Sequence, residues 1–208
     1  AHDSLDDFPT QPWATRALCE HVLQPPVASL RGRFAWEPAC NRGHMAEPLR
    51  EYFFGVMATD IHDYGYQYHE RTVDFLFPGN VPAVEVDWII TNPPFKVSTD
   101  FVLKALDLAG TGVAMFVRAA WLEGVDRYER IFSKHPPTQI SYFVERVPLH
   151  KGRWEPDGDT MTAYIWLTWI KGAQPQAPFW IPPGCRDRLT KPDDAARFGA
   201  PEAPEDAA

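Results

Sequence analysis

Residues 91–95 read Thr-Asn-Pro-Pro-Phe and follow directly on Trp88-Ile89-Ile90, three residues suited to a buried strand. Pro93 and Pro94 lack N–H groups and fix φ, so the segment cannot continue a sheet and must leave it as a rigid loop. Such a loop holds acceptors in place. The amide oxygen of Asn92 and the carbonyl of Pro93 can take two hydrogen bonds from one NH₂ group, while the Phe95 ring stacks on the flat heterocycle that carries it. An exocyclic amine is a poor nucleophile because its lone pair is delocalised into the ring. Two acceptors fixed on its N–H bonds favour the pyramidal nitrogen of a transition state over the planar ground state.

Four further stretches carry chemistry. Glu37-Pro38-Ala39-Cys40-Asn41-Arg42-Gly43 leads from a short strand into a helix. A turn there that lets backbone approach a ligand needs glycine or a residue tolerant of positive φ, and Asn41 is of the few such types. Asp60 closes a second strand, where an acid can take both hydroxyls of a ribose. Asp74-Phe75 offers a carboxylate to an adenine amino group and a ring to cover its face. Residues 146–154 combine Arg146, His150, Lys151 and Arg153 with Trp154, a composition suited to phosphate contacts and to a wedge between bases.

These residues need elements to position them. Pro12-Trp13 opens a helical stretch to about Leu23, stopped by Gln24-Pro25-Pro26. Strands are expected over 33–39, 55–60, near 72–75, 86–91, 112–117, 139–147 and 160–170, with helices over 44–54, 97–109 and 122–132. Alternation of this kind predicts a doubly wound, mainly parallel α/β sheet, in which ligands sit outside the carboxyl ends of the strands. The last two strands are joined by a polar loop and not by a helix, which predicts an antiparallel hairpin at one edge. Residues 172–191 are proline-rich and read as an irregular extension; the acidic ends, 1–7 and 192–208, read as disordered.

The chain has 208 residues, of which 45% are hydrophobic, enough for one domain with a real core. It lacks an apolar run of membrane-spanning length. Cys19, Cys40 and Cys185 are odd in number and without metal-ligand spacing, so they read as reduced thiols of a cytoplasmic protein with no metal site. Net charge is −8, but residues 1–7 hold three acids and 192–208 hold five against Arg197. The body between them is close to neutral, which leaves a polyanionic partner open.

With these pieces placed, the sequence resembles class I S-adenosylmethionine-dependent methyltransferases that act on exocyclic amino groups. Thr91-Asn92-Pro93-Pro94-Phe95 is similar to their catalytic loop, Glu37–Gly43 to their cofactor turn, and Phe8-Pro9-Thr10-Gln11-Pro12-Trp13 to the segment that holds the methionine end of the cofactor. The order of these motifs is that of adenine-N6 enzymes, and the likeness is greatest to small phage- or prophage-type DNA adenine methyltransferases.

The resemblance covers roughly residues 8–171 and implies a Rossmann-like seven-stranded fold. It implies that Thr10, Trp13, Glu37, Pro38, Ala39, Asn41, Gly43, Asp60, Ile61, Asp74 and Phe75 bind S-adenosylmethionine. It also implies that Asn92, Pro93, Pro94 and Phe95 hold a flipped adenine of DNA. RNA adenine, cytosine N4 and a protein glutamine present the same sp² nitrogen, and a catalytically silent scaffold is a further alternative. The chain departs from the family in two ways. Asn41 stands where the cofactor turn usually has its first glycine, and no insertion is large enough for a separate target-recognition domain.

Overall fold

Strand–helix alternation builds an eight-stranded sheet in the order β3-β2-β1-β4-β5-β7-β6-β8. The computed structural model of the chain describes residues 6–23 and 29–198. The strands are β1 (Phe34–Glu37), β2 (Gly55–Asp60), β3 (Arg71–Thr72), β4 (Trp88–Thr91), β5 (Gly112–Arg118), β6 (Gln139–Phe143), β7 (Tyr164–Ile170) and β8 (Phe179–Ile181). β1 to β5 pair in parallel, whereas β7 runs antiparallel between β5 and β6. The expected seven strands become eight because Phe179-Trp180-Ile181 adds in parallel to the open edge of β6 before Pro182 and Pro183 end it. The antiparallel strand is therefore inside the sheet, and the proline-rich stretch is not wholly irregular.

Central strands are covered on both faces, which is why they read as continuous apolar runs. Along β5, Ala114 and Phe116 enter one core and Val113, Met115 and Val117 the other. The first core is closed by α1 (Pro12–Ala17), which has Pro at its first position and runs on as a π-helical turn, Leu18–Leu23. Trp166 Nε1 donates to Ala14 O at 3.1 Å and ties this helix to β7. The second core is closed by α3 (Ser98–Leu108), whose Phe101, Val102 and Ala105 share one buried face.

Two predicted helices are shorter than expected. The 44–54 helix is reduced to α2 (Ala46–Arg50), because the chain must turn back into β2 at Gly55. The 122–132 helix is broken at Gly124, with φ 120, into a 3₁₀ turn (Ala119–Leu122), α4 (Val125–Arg127) and a π-helical turn (Tyr128–Phe132).

The acidic ends are ordered further than their composition suggests. Asp7 is buried, with Oδ2 2.9 Å from Arg42 and Oδ1 2.6 Å from Asn41 Nδ2. At the other end α5 (Cys185–Leu189) and α6 (Asp194–Phe198) dock through Arg16, which is 1% exposed. All five N–H bonds of its guanidinium are used, on both oxygens of Glu51, both of Asp194 and the carbonyl of Leu189. Burial alone would lower the Arg16 pKa, but the two carboxylates outweigh it and hold the cation. The remaining parts of the disorder expectation, 1–5 and 199–208, and the Gln24–Pro26 stop lie outside the described residues. No helix among the described residues is long and apolar enough to cross a membrane.

Candidate active site

The carboxyl ends of β1, β2 and β4 open into a cleft of about 370 Å³. β1 and β4 are neighbours from which the chain winds in opposite directions, so the cleft lies at the switch point of the sheet. Its floor is the turn after β1. Asn41 has φ 49, the left-handed conformation its type permits, and its N–H donates to Asp60 Oδ2 at 2.9 Å. Gly43 lies beneath, at φ 84. A Cβ there would stand 2.3 Å from the Tyr66 ring, so close packing requires glycine, although Gly43 does not itself line the cleft.

Four carboxylates line this space, those of Glu37, Asp60, Asp74 and Asp6. Glu37 is 2% exposed, and its Oε2 has no hydrogen-bond partner. Burial, then the charge of Asp60, pushes its pKa well above the usual carboxylate range, against a donated bond from the Ala46 N–H. An unpartnered buried oxygen in a ligand-sized cleft invites a cationic donor. Asp60 is also raised by burial, and its two oxygens accept the N–H groups of Asn41 and His62 at 2.9 and 3.0 Å. The Ile61 N–H also stabilises this carboxylate, which with about four acceptor sites keeps capacity for a hydroxyl. Asp74 accepts from Leu76 N–H through Oδ1 and is otherwise exposed.

Pro38, Ala39 and Thr10 line the same cleft, and Ile61 stands at its mouth, 61% exposed. Phe75 is a cleft residue but 1% exposed, held between Trp36 and Phe101 at 5.1 and 4.7 Å. Its ring is a wall and not a free stacking face. Trp13 does not reach the cleft. It is in the core, edge-on to Phe143 at 5.4 Å.

The loop after β4 forms the far wall. Asn92 Nδ2 donates to Phe8 O at 3.1 Å and to Thr10 Oγ1 at 3.2 Å. A carbonyl can only accept, so these partners fix which end of the amide is nitrogen. Asn92 lines the cleft, and among the described residues no donor is paired with its Oδ1. Asn92 and Pro94 line the cleft, whereas Pro93 and Phe95 line a smaller pocket behind the loop. The Phe95 ring is not vacant either. Phe8 lies 5.0 Å from it and the Arg118 guanidinium carbon sits over it at 4.2 Å.

Residues 146–154 behave differently from a DNA-contacting loop with a free wedge. Trp154 is 9% exposed, donates to Gln11 Oε1 at 2.8 Å and packs edge-on against Phe198, so it belongs to the core. Arg153 is paired with Glu155 at 2.5 Å, and His150 faces the same carboxylate. Arg146 and Lys151 are exposed. The whole loop is pinned, through Gln11 Nε2 to Pro148 O and Glu155 O and through Gly152 N to Asp7 O.

Sequence reasoning missed Asp6, whose Oδ2 accepts the Phe95 N–H at 2.9 Å, and Asp7, which braces the turn. Both were concealed in an acidic terminal run. It also missed His44, buried at the cleft with its pKa lowered to about 4 by desolvation and therefore neutral. Among the described residues no three of His, Cys, Asp or Glu come together as metal ligands. The three cysteines are free and buried.

A parallel sheet ordered 3-2-1-4-5, extended by 7-6 and a final strand, with its cleft at the carboxyl ends, defines a Rossmann-like doubly wound protein. No protein-family model matches the sequence, and no curated protein matches it. Solved structures do match. A protein described as a modification subunit of a type I restriction enzyme from Vibrio vulnificus YJ016 superposes with TM-score 0.60 at 16% identity, over 88% of this chain and 49% of that one. A type I restriction-modification methyltransferase subunit from Streptococcus thermophilus gives 0.56 at 10% identity, over 80% and 46%. The chain thus spans about half the length of these two. A protein described as an RNA methyltransferase from Pyrococcus horikoshii gives 0.54 at 16% identity, over 80% and 87%. At these identities the likeness establishes the fold.

Proposed function

We propose that the protein is an S-adenosylmethionine-dependent methyltransferase acting on the exocyclic amine of a nucleobase, adenine N6 of DNA first among them. The observation that carries this reading is the orientation of Asn92. Its NH₂ is occupied by Phe8 and Thr10, which leaves the acceptor Oδ1 unpaired on a residue that lines the cleft. Bound in the cleft, the cofactor supplies an electrophilic methyl group on a sulfonium.

The cleft suits that ligand. The orphaned oxygen of Glu37 would receive the ammonium at the methionine end, Asp60 the ribose hydroxyls, and the Asp74 carboxylate the adenine amine, with Ile61 at the mouth. Asn92 Oδ1 and the Pro93 carbonyl would accept the two N–H bonds of the target amine and free its lone pair to take the methyl group, whose bond to sulfur breaks to leave a neutral thioether. The nitrogen then becomes acidic enough to release a proton to these acceptors or to water. A base must leave its stack to reach them, since a duplex hides the amine. The modification-subunit and RNA-methyltransferase neighbours fit a nucleic-acid acceptor and leave DNA against RNA to experiment.

The test is incubation with labelled S-adenosylmethionine and unmodified DNA or RNA, followed by digestion to nucleosides. The expected product is methylated adenosine or deoxyadenosine, lost in Asn92→Ala. Label on cytidine or on a protein glutamine would change the acceptor. Saturable cofactor binding without transfer to any acceptor would leave a silent module and overturn the reading.

A further inference from the structure

Behind the catalytic loop lies a second pocket of about 200 Å³, between Pro93, Phe95 and the carboxyl end of β5. Two guanidiniums line it. Arg118 sits over the Phe95 ring, 4.2 Å from its centre, and Arg127 over Trp121 at 5.3 Å. The pocket is braced: Trp121 Nε1 donates to Ser98 Oγ at 2.8 Å, and that hydroxyl donates to the Phe95 carbonyl at 3.0 Å. Pocket and catalytic loop therefore share one hydrogen-bonded frame.

The charge in this pocket is unusual for the molecule. The chain carries a net charge of −8, and most of its other arginines near a cavity or helix are neutralised: Arg42 by Asp7, Arg130 by Asp100, Arg188 by Glu20, Arg197 by Glu47. Among the described residues no carboxylate pairs with Arg118 or Arg127. Arg127 spends two donors on the Glu123 carbonyl and keeps the others, and Arg118 has only the ring beneath it. Two unneutralised planar cations facing one small pocket, beside a loop built to hold an amine, call for an oxyanion with several acceptor oxygens.

We propose that this pocket binds a phosphodiester of the acceptor strand next to the reacting nucleotide, with Arg118 and Arg127 as its two clamps. The proposal rests on the nucleic-acid reading above. It also accounts for the covered Phe95 ring. With no acceptor bound, the flat Arg118 guanidinium lies on the ring where a base would stack; when the nucleotide enters, the guanidinium moves to the phosphate and the ring face is released to the base. The proposed phosphate contact falls at the pocket behind the loop; within residues 146–154 Arg153 is paired, Trp154 is buried, and Arg146 and Lys151 are exposed.

The experiment measures binding of a fluorescent single-stranded oligonucleotide by anisotropy across a salt series, for wild type, Arg118→Gln, Arg127→Gln and the two lysine variants, with cofactor affinity measured in parallel. Each glutamine variant should weaken binding roughly 5- to 10-fold at physiological ionic strength and flatten the log–log salt slope by about 0.7, the share of one phosphate contact on a single strand. Cofactor affinity should stay at the wild-type value, because neither arginine lines the cleft. Lysine should restore the slope but only part of the affinity, since it keeps the charge and loses the fork. An oligonucleotide with an abasic target position should show the same dependence on both arginines. Wild-type slope and affinity in both glutamine variants, alongside intact methyl transfer to a nucleobase in wild type, would overturn this pocket's role and leave the function standing. Failure of wild type to bind or modify any nucleic acid would remove both together.

Discussion

The most informative perturbation is Glu37→Gln, because the structure predicts opposite signs for the free and the cofactor-bound protein. In the free protein the Glu37 Oε2 is buried without a partner and close to Asp60, and both burial and that charge raise its pKa. The native state therefore holds its proton to higher pH than the unfolded chain does. Stability contributed by the protonated form is full below the ordinary carboxylate range and is lost as pH rises through the elevated native value. Glutamine stays neutral throughout. It removes the excess penalty of a charged over a neutral orphan, about 1–2 kcal/mol, from the general cost of an unsatisfied buried group. For a chain of this size that corresponds to a melting temperature about 2–8 °C higher near neutral pH. The gain should shrink as pH falls toward the ordinary carboxylate range.

With S-adenosylmethionine the sign reverses. The variant loses a hydrogen bond from a charged donor, worth about 1.5–3 kcal/mol, so binding should weaken about 10- to 150-fold. Thermal melts with and without cofactor, over a pH series, read both effects at once. If Glu37→Gln melted lower than wild type near pH 7.5, or bound cofactor with unchanged affinity, the assignment of the orphaned oxygen to the cofactor would be wrong.

Other outcomes follow from single contacts. Thr10→Val removes the hydroxyl that accepts from Asn92 Nδ2 and leaves Phe8 O, so kcat measured at saturating cofactor should fall by about 2- to 10-fold in steady-state kinetics. Gly43→Ala places a side chain in the left-handed region against Tyr66, and should lower stability by at least about 1–2 kcal/mol in a denaturant titration. Asp194→Ala strips the buried Arg16 of one carboxylate and should cost about 3 kcal/mol, with limited proteolysis releasing the C-terminal segment first.

What could be read from sequence was local. Asn92, Pro93 and Pro94 specify a rigid acceptor loop whatever surrounds them, and the tolerance of Asn41 for positive φ is a property of its own side chain, seen at φ 49. Glu37, Asp60 and Asp74 stand at strand ends, and the sheet order brings them to one cleft. Aromatic destinations were not legible. Trp13 and Trp154 were expected at ligands and lie in cores, and Phe75 lines the cleft with its ring packed between Trp36 and Phe101, because a ring's surroundings are set by packing across the fold. Acidic ends misled for a related reason. Composition marks Asp7 and Asp194 as solvated, yet their partners Arg42 and Arg16 lie 35 and 178 residues away. Arg118 and Arg127 belong to no pattern at all; only the topology brings them beside Phe95.

The central claim is that Asn92 presents an oxygen to a target amine without taking part in cofactor binding. Single-turnover transfer from saturating labelled S-adenosylmethionine to an adenine-containing oligonucleotide, comparing wild type with Asn92→Ala, tests it directly. The account predicts a rate lower by about 10²–10³ in the variant with cofactor affinity unchanged, the scale of losing one fixed polar contact to the transition state. Equal rates, or a defect that disappears at higher cofactor concentration, would contradict it.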